Sequence, residues 1–153
     1  MQQRRRAREI ALQVLYGLDV EPKDVDEAIR LFWINYESTG DSASDIAVSV
    51  KVKTFADQLI HGVWGHCMDI DAMISRSSEH WSLGRMSRVD RCILRMAIYE
   101  LLYCDDIPPK VSLNEAIDLG KTYGSENSGS FINGILDALY ADVEKGGKSP
   151  APP

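Results

Sequence analysis

The sequence predicts an all-α protein, a compact bundle of six or seven helices. Apolar residues recur with a period close to 3.6 along most of the 153-residue chain, and no segment alternates apolar and polar residues as a half-buried strand does. Breaks rich in Gly, Pro and Ser separate the periodic segments. We therefore expect one helical domain over residues 1–143 and a flexible Gly/Pro tail over residues 144–153.

The first predicted helix carries one continuous apolar stripe at helical spacing and ends before Pro22. The members of the stripe are Ala7, Ile10, Ala11, Val14, Leu15 and Leu18. A second helix is predicted over residues 25–37, in the aromatic-rich AIRLFWINYE, and the loop STGDSAS follows it. A third helical region covers residues 49–77. We expect it to bend near HGVWGH, because the two glycines there weaken a helix.

The most apolar predicted helix covers residues 89–104 and ends at DDIPP. Its hydrophobic residues lie nearly all the way round, so we place it at the centre of the bundle. Ser112 followed by Glu115 predicts a capping box for the next helix, which Gly124 ends. The last amphipathic helix is predicted to begin at Ser130, after the loop SENSGS.

The polar residues show no catalytic or metal-binding constellation. The Gly-Lys-Thr at 120–122 resembles the end of a phosphate-binding loop, but Glu115 stands where that motif needs glycine and a helix precedes it. His61 and His66 lie five residues apart, whereas a helical zinc pair needs a spacing of four. We therefore expect a protein that is not an enzyme, with no cofactor and no metal.

The apolar segments also indicate the compartment. No segment approaches the roughly 18 consecutive apolar residues of a membrane span, and the first apolar run does not resemble a signal peptide. Cys67, Cys92 and Cys104 form an odd set without metal spacing, which predicts buried, reduced thiols. The expectation is a cytoplasmic protein without a membrane partner.

Positive charge is concentrated at the N-terminus of an otherwise acidic chain. The arginine block consists of Arg4, Arg5, Arg6 and Arg8. The net charge of the whole chain is −6, so residues 9–153 carry −10 (−6 minus +4). The block is either a solvated, frayed terminus or a surface for a negatively charged partner.

Helical phase places two of these arginines on one face of the first helix. That face consists of Arg5, Arg8, Leu12 and Tyr16, and we expect it to point away from the apolar stripe. Arginine can pair with phosphate, and Tyr16 adds a surface for stacking or contact. The alternative is that Tyr16 fills a gap at the edge of the core.

Two further segments combine features of nucleic-acid binding. The first is a basic group near the start of the central helix, made of Arg85, Arg88, Arg91 and Arg95. The alternative for this group is structural pairing with nearby acids.

The second segment, KTYGSENSGSFING, places Lys121, Tyr123 and Phe131 around a small polar loop and a helix start. Helix starts bind anions, and aromatic rings stack on unpaired bases. The alternatives are that Lys121 complements the helix dipole and that Phe131 closes the helix end as an apolar residue. Together with the arginine block, these segments indicate single-stranded RNA.

Three stretches are similar, in order and spacing, to the NusB family of bacterial transcription antitermination factors. They are RRRAREIALQVLYGLD, the run from WSLGRM to LGKTYG, and SFINGILD. The blocks ILRMAIYEL, NEAIDL and FINGILD are specific, whereas residues 20–60 match weakly. The resemblance implies two small helical subdomains without catalysis. It also implies binding of boxA RNA together with the ribosomal protein NusE, in a transcription complex with other Nus factors and RNA polymerase.

With the segments above, the resemblance gives a set of site residues. The residues expected to contact RNA are Arg4, Arg5, Arg6, Arg8, Arg88, Arg91, Lys121, Tyr123 and Phe131. Tyr16 and Asp90 are expected to contact the protein partner, and Asp90 suits basic NusE because it is acidic. The alternatives are a NusB-like module of an RNA methyltransferase system, a protein-only interaction scaffold and, for the assembly, a homodimer.

Overall fold

A computed structural model describes residues 2–38, 49–77 and 83–145. All regular structure in these ranges is helical, which confirms the predicted fold class. The helices are α1 (Gln2–Val20), α2 (Val25–Ser38), α3 (Val50–Gly65), α4 (Cys67–Ser77), α5 (Arg88–Tyr103), α6 (Pro109–Tyr123) and α7 (Ser128–Lys145), with a 3-10 turn at Leu83–Arg85. The chain divides into two compact units, Met1–Trp64 and Gly65–Pro153.

Two predicted segments fall partly outside the described residues. Of the predicted loop STGDSAS, residues 39–44 lie there, and so do residues 146–153 of the predicted tail. Helix α7 continues through Lys145, two residues beyond the predicted start of the tail.

In the first unit, α1 contacts α2, and α1 carries the predicted apolar stripe. All six stripe residues are buried. Helix α2 starts at a polar cap, where the Asp24 carboxylate accepts a hydrogen bond from the backbone N–H of Glu27 at 3.1 Å. Ser49 does the same for α3 by accepting from the backbone N–H of Val52 at 3.2 Å. Short polar residues thus fix where α2 and α3 begin.

A histidine joins α2 to α3. The Nε2 atom of His61 lies 2.8 Å from an Asp26 carboxylate oxygen, and its Nδ1 atom lies 2.9 Å from the backbone carbonyl of Asp57. The hydrogen bond that His61 donates to the Asp26 carboxylate is the largest cause that raises the pKa of His61 above its ordinary value. Because both ring nitrogens face oxygen acceptors, the protonated imidazole, with two donors, suits this position best.

The predicted bend in the third helical region is a complete break at His66. Helix α3 ends at Gly65 and α4 begins at Cys67, which confirms the prediction near HGVWGH. The carbonyl of His66 accepts from the backbone N–H of Ile70 at 2.9 Å, so His66 caps α4. Its ring stacks on Tyr103 with the ring centroids 4.2 Å apart.

The central helix α5 is buried along nearly its whole length, as the sequence predicts. It packs against α4, α6 and α7 of the second unit. Two of its buried polar residues, Arg95 and Glu100, find partners across these contacts. Arg95 donates to both carboxylate oxygens of Asp71 on α4, at 2.7 and 2.9 Å. Glu100, which is 2% exposed, accepts a hydrogen bond from the Ser112 hydroxyl of α6 at 2.7 Å.

The predicted capping box of Ser112 and Glu115 is wrong. Helix α6 begins earlier, at Pro109, with Pro108 in the capping position. Proline suits the first turn because its missing N–H would have no partner there. Ser112 therefore lies inside the helix, buried, and its hydroxyl serves Glu100 instead of a helix end. The predicted stop at Gly124 is confirmed.

The prediction of buried thiols holds for two of the three cysteines. Cys92 and Cys104 are buried, whereas Cys67 is half-buried, and among the described residues none of the three forms a disulfide. The thiol of Cys67 lies 3.7 Å from the Asp71 carboxylate, at the edge of the α4–α5 contact.

Candidate nucleic-acid interface

The arginine block lies on α1 and changes from exposed to buried along the helix. Arg4 and Arg5 are exposed, the side chain of Arg6 is 40% exposed, and Arg8 is only 3% exposed. The packed apolar stripe sets the rotation of α1, so the directions of these side chains are fixed by the core.

The prediction that the arginine face points away from the core is wrong for Arg8 and Leu12, which are both buried. The reason is an aromatic ring on α3. The guanidinium carbon of Arg8 lies 5.4 Å from the ring centroid of Phe55, and that of Arg4 lies 4.4 Å from it. These cation–π contacts draw one side of the face into the first unit. Tyr16, at the far end of the face, is 41% exposed.

Arg6 joins α1 to α2. Its guanidinium donates to the Tyr36 hydroxyl at 3.4 Å and to the Glu9 carboxylate at 3.5 Å. The hydrogen bond with Tyr36 is the largest cause that raises the pKa of Arg6. The positive charge is therefore permanent and held in place, with part of the side chain left to solvent.

The second unit contains a cavity of about 240 Å³ at the start of α5. It is lined by Arg85, Met86, Ser87, Asp90, Ser125, Asn127 and Phe131. The lining combines a cation, a carboxylate, small polar groups and an aromatic ring. Such a mixture can hold a planar polar group or a polar side chain.

Asp90 is the distinctive residue of this cavity. The Ser87 hydroxyl caps α5 by accepting from the backbone N–H of Asp90 at 3.1 Å, which places Asp90 in the first turn. Its side chain is 7% exposed, and among the described residues its Oδ1 atom has no hydrogen-bond partner. The positive end of the helix dipole favours a carboxylate here. An unsatisfied buried oxygen is nonetheless costly, and it suits a site that receives a donor from a ligand.

The predicted basic group of the central helix separates into two kinds of residue. Arg88 is exposed and Arg91 is half-buried at the start of α5. Arg95 is buried and forms the ion pair with Asp71, which confirms for this residue the alternative of structural pairing.

The other predicted residues lie at the end of α6 and the start of α7, on either side of the turn that joins these helices. Lys121 is exposed, Tyr123 is 46% exposed, and Phe131 is half-buried in the cavity wall. Helix α7 begins at Ser128, two residues before the predicted start. The reason is local: the hydroxyl of Ser128 accepts from the backbone N–H of Ser125 at 2.9 Å and closes the turn.

The turn also depends on a close approach at Gly124. A Cβ atom at this position would lie 2.6 Å from the Cβ of Ser128 and 2.8 Å from the carbonyl oxygen of Gly120. We expect Gly124→Ala to lower the free energy of unfolding by about 1–3 kcal/mol, because the backbone must move. Chemical denaturation measures this change.

Gly134 offers a matched control, since no atom lies within 4 Å of a Cβ built there. It is exposed in the middle of α7, so Gly134→Ala is expected to raise the free energy of unfolding by about 0.5–1 kcal/mol. If the two alanine variants had equal stabilities, the close approach would not constrain the turn.

The cavity brings together residues that the sequence presented as separate features. Arg85 and Asp90 come from the start of α5, and Phe131 comes from α7. Ser87 was not among the predicted residues, although Ser-x-x-Asp at 87–90 is the pattern of a capped helix start. The other lining residues carry no local pattern that could have indicated them.

Within the described ranges, no helix is long and apolar enough to cross a membrane. In the same part of the chain, no group of three or more His, Cys, Asp or Glu side chains could hold a metal ion.

The chain is similar to one protein family over nearly its whole length. The sequence profile of the NusB family matches residues 5–141. The transcription antitermination protein NusB of Syntrophus aciditrophicus (strain SB) is 57% identical over 145 residues, which cover 95% of this chain and 84% of that protein. The NusB protein of Geobacter sp. (strain M21) is 42% identical over 143 residues, covering 94% and 97%.

Solved structures show the same similarity. The structure of NusB from T. maritima superposes with a TM-score of 0.78 at 36% identity, covering 96% of this chain and 93% of that one. A structure of the antitermination factors NusB and NusE in complex with dsRNA gives a TM-score of 0.77 at 26% identity, covering 93% and 98%.

Proposed function

The chain belongs to the NusB family, and from this premise we propose that it is a transcription antitermination factor that binds boxA RNA together with the ribosomal protein NusE. In this role it supports processive transcription of ribosomal RNA operons, in a complex with other Nus factors and RNA polymerase. The observation that carries the proposal is the extent of the family match, which includes almost all of the arginine block and the whole cavity in one chain.

We assign the exposed arginines of α1 to the RNA backbone. Arg4 and Arg5 reach solvent, and Arg6 presents a fixed charge beside Tyr36. Guanidinium groups pair with phosphate oxygens through two parallel hydrogen bonds. Arg8 is buried over Phe55, so we assign it to holding α1 on α3 and not to direct contact with RNA.

In the second unit, the exposed cations and aromatic rings support contact with unpaired nucleotides. Arg88, Arg91 and Lys121 supply positive charge at the start of α5 and the end of α6. The exposed ring of Tyr123 and the half-buried ring of Phe131 supply stacking surfaces.

We assign Tyr16 and Asp90 to the protein partner. Tyr16 is an exposed aromatic residue, a type enriched at interfaces. The unsatisfied oxygen of Asp90 can accept a hydrogen bond from a basic side chain of NusE that enters the cavity. The net charge of −10 outside the arginine block supports electrostatic steering of a basic partner.

The proposed role requires binding and no chemistry, and it places the protein in the cytoplasm with the transcription machinery. A protein-only scaffold would differ from it by showing no salt-dependent affinity for RNA. A measurement of RNA binding with and without NusE, at several salt concentrations, therefore tests the proposal directly.

The double variant Arg4→Ala/Arg5→Ala is expected to weaken the binding of boxA RNA and to reduce its salt dependence. Each lost phosphate contact removes about 0.7 from the slope of log affinity against log salt concentration. Two contacts should therefore remove about 1.4, which corresponds to a loss of about 25-fold at 0.1 M salt. Fluorescence anisotropy of labelled boxA RNA measures both quantities.

The control variant is Lys23→Ala/Arg30→Ala, which removes the same two charges from exposed residues of the same unit. It should leave the slope within error of the wild type. Equal slopes for the two double variants would contradict the assignment of the arginine block to RNA.

A further inference from the structure

Helix α2 presents a row of aromatic rings at the surface of the first unit. None of the α2 side chains that the structure describes is fully buried. We call Phe32, Trp33 and Tyr36 the aromatic strip. The rings of Phe32 and Tyr36 stack with centroids 5.8 Å apart, and Trp33 meets them edge-on at 5.0 and 5.5 Å. The three rings thus form one continuous, half-exposed surface.

Cations lie at both ends of the aromatic strip. The guanidinium carbon of Arg6 lies 5.8 Å from the centroid of Tyr36, and the ammonium nitrogen of Lys53 lies 4.8 Å from the centroid of Trp33. Lys53 comes from α3, so its contact with Trp33 joins α3 to α2. Within the described ranges, Lys53 forms no ion pair, which leaves its charge available to a ligand.

Aromatic rings between fixed cations suit a nucleic-acid strand. Cations contact successive phosphates while ring surfaces receive unpaired bases, and neither contact requires a particular sequence. Arg6 belongs to the arginine block and lies beside Tyr36 of the aromatic strip, so one strand can pass from the block to the strip. A basic protein partner would instead be repelled by Arg6 and Lys53.

We propose that Lys53 and the aromatic strip form a second RNA-contacting surface, which binds the backbone and bases of the same single strand that the arginine block holds. Lys53 contacts a phosphate, and the Trp33 ring positions the Lys53 ammonium group and offers a stacking surface. This inference rests on the proposed function, because it extends the path of an RNA that the protein must first bind.

The test compares Lys53→Gln with Lys23→Gln in the full chain. Lys23 is an exposed lysine of the same unit and lies beside Glu21. Its replacement by glutamine removes one positive charge, as Lys53→Gln does. The probe is a labelled boxA RNA flanked on both sides by short adenosine tracts. Lys53→Gln should lower the salt slope by about 0.7 and the affinity by about fivefold at 0.1 M salt, whereas Lys23→Gln should change neither.

Two variants of Trp33 separate the ring from the charge. Trp33→Phe keeps an aromatic face and should bind the probe within about twofold of the wild type, whereas Trp33→Leu should lose about fivefold or more. Circular dichroism confirms that each variant is folded. If Trp33→Leu does not fold, the lysine pair still decides the matter.

The outcomes distinguish this inference from the proposed function. If the wild type and the Lys23 variant bind with a steep slope and Lys53→Gln matches them, the second surface is absent while the proposed function stands. If the wild type itself shows no salt-dependent binding of the probe, the proposed function fails, and this inference fails with it.

Discussion

Replacing Arg95 by methionine is expected to lower the free energy of unfolding by about 3 kcal/mol. The guanidinium holds both oxygens of Asp71 at 2.7 and 2.9 Å, and the two side chains are only 10% and 25% exposed. Methionine fills much of the same space but leaves the Asp71 carboxylate without its cation. The partial exposure of Asp71 lets water reach it, which keeps the loss at the lower end of the range for buried pairs.

The double variant Arg95→Met/Asp71→Leu should recover most of that stability. Both charges are then absent, and two apolar side chains can pack between α4 and α5. A double-mutant cycle, with Asp71→Leu as the second single variant, isolates the pair energy. Recovery would show that Arg95→Met is destabilising because it leaves the Asp71 carboxylate without a partner, and that the fold does not require the ion pair itself.

The control is the ion pair of Glu27 and Arg30 on α2. Its geometry is similar, with contacts of 3.0 and 2.6 Å, but both side chains are exposed, at 44% and 58%. Exposed pairs contribute little, so Arg30→Met should leave the melting temperature unchanged. Arg95→Met should lower it by about 6–12 °C for a chain of this size. Equal melting temperatures for the two variants would contradict the role of burial.

Helical phase was sufficient to predict most of the fold. The stripe of α1 and the fully apolar α5 are local patterns, and both are buried as expected. The break at His66 follows from the glycines around it. The predicted capping box is wrong because a serine hydroxyl can either cap a helix or hydrogen-bond to another helix. Only the packed structure shows that the Ser112 hydroxyl donates to Glu100. Local pattern cannot decide between a cap and a contact with another helix.

The site was less predictable because its parts meet only through packing. No local pattern indicates that Phe55 of α3 covers Arg8, because periodicity relates only residues within one helix. Lys53 was missed for the same reason, because only its contact with the Trp33 ring, which comes from another helix, indicates a role for it. The exposed positions of Arg5 and Tyr16 agree with the predicted phase of their face of α1.

The second large effect is expected at Asp90, whose replacement should weaken the association with NusE by about 100-fold. The carboxylate is 7% exposed and lines the cavity, and its Oδ1 atom has no partner among the described residues. A charged hydrogen bond formed there with a basic side chain of the partner contributes about 1.5–3 kcal/mol. Asp90→Leu removes the acceptor and the charge while keeping a side chain of similar size. Asp90→Asn keeps an acceptor oxygen and should lose less.

Asp90→Leu should weaken binding to NusE without lowering the free energy of unfolding. This difference separates a binding role of Asp90 from a structural one. In the free protein the unsatisfied oxygen of Asp90 is destabilising, while the interaction of its carboxylate with the helix dipole stabilises the fold by about 0.3–1 kcal/mol. Asp90→Leu should therefore be at least as stable as the wild type in urea denaturation, although its complex with NusE is weaker. A variant less stable by 2 kcal/mol or more would show that Asp90 supports the fold.

Separate titrations with NusE and with boxA RNA identify the partner that uses this oxygen. The assignment to NusE predicts that Asp90→Leu loses affinity for NusE and keeps its affinity for RNA alone. Loss confined to RNA would mean that a base donates to Asp90, because an exposed amino group of a base is the corresponding donor. The assignment to the protein partner would then be wrong. A loss for NusE together with unchanged stability would identify the cavity at the start of α5 as the place where the partner's basic side chain enters.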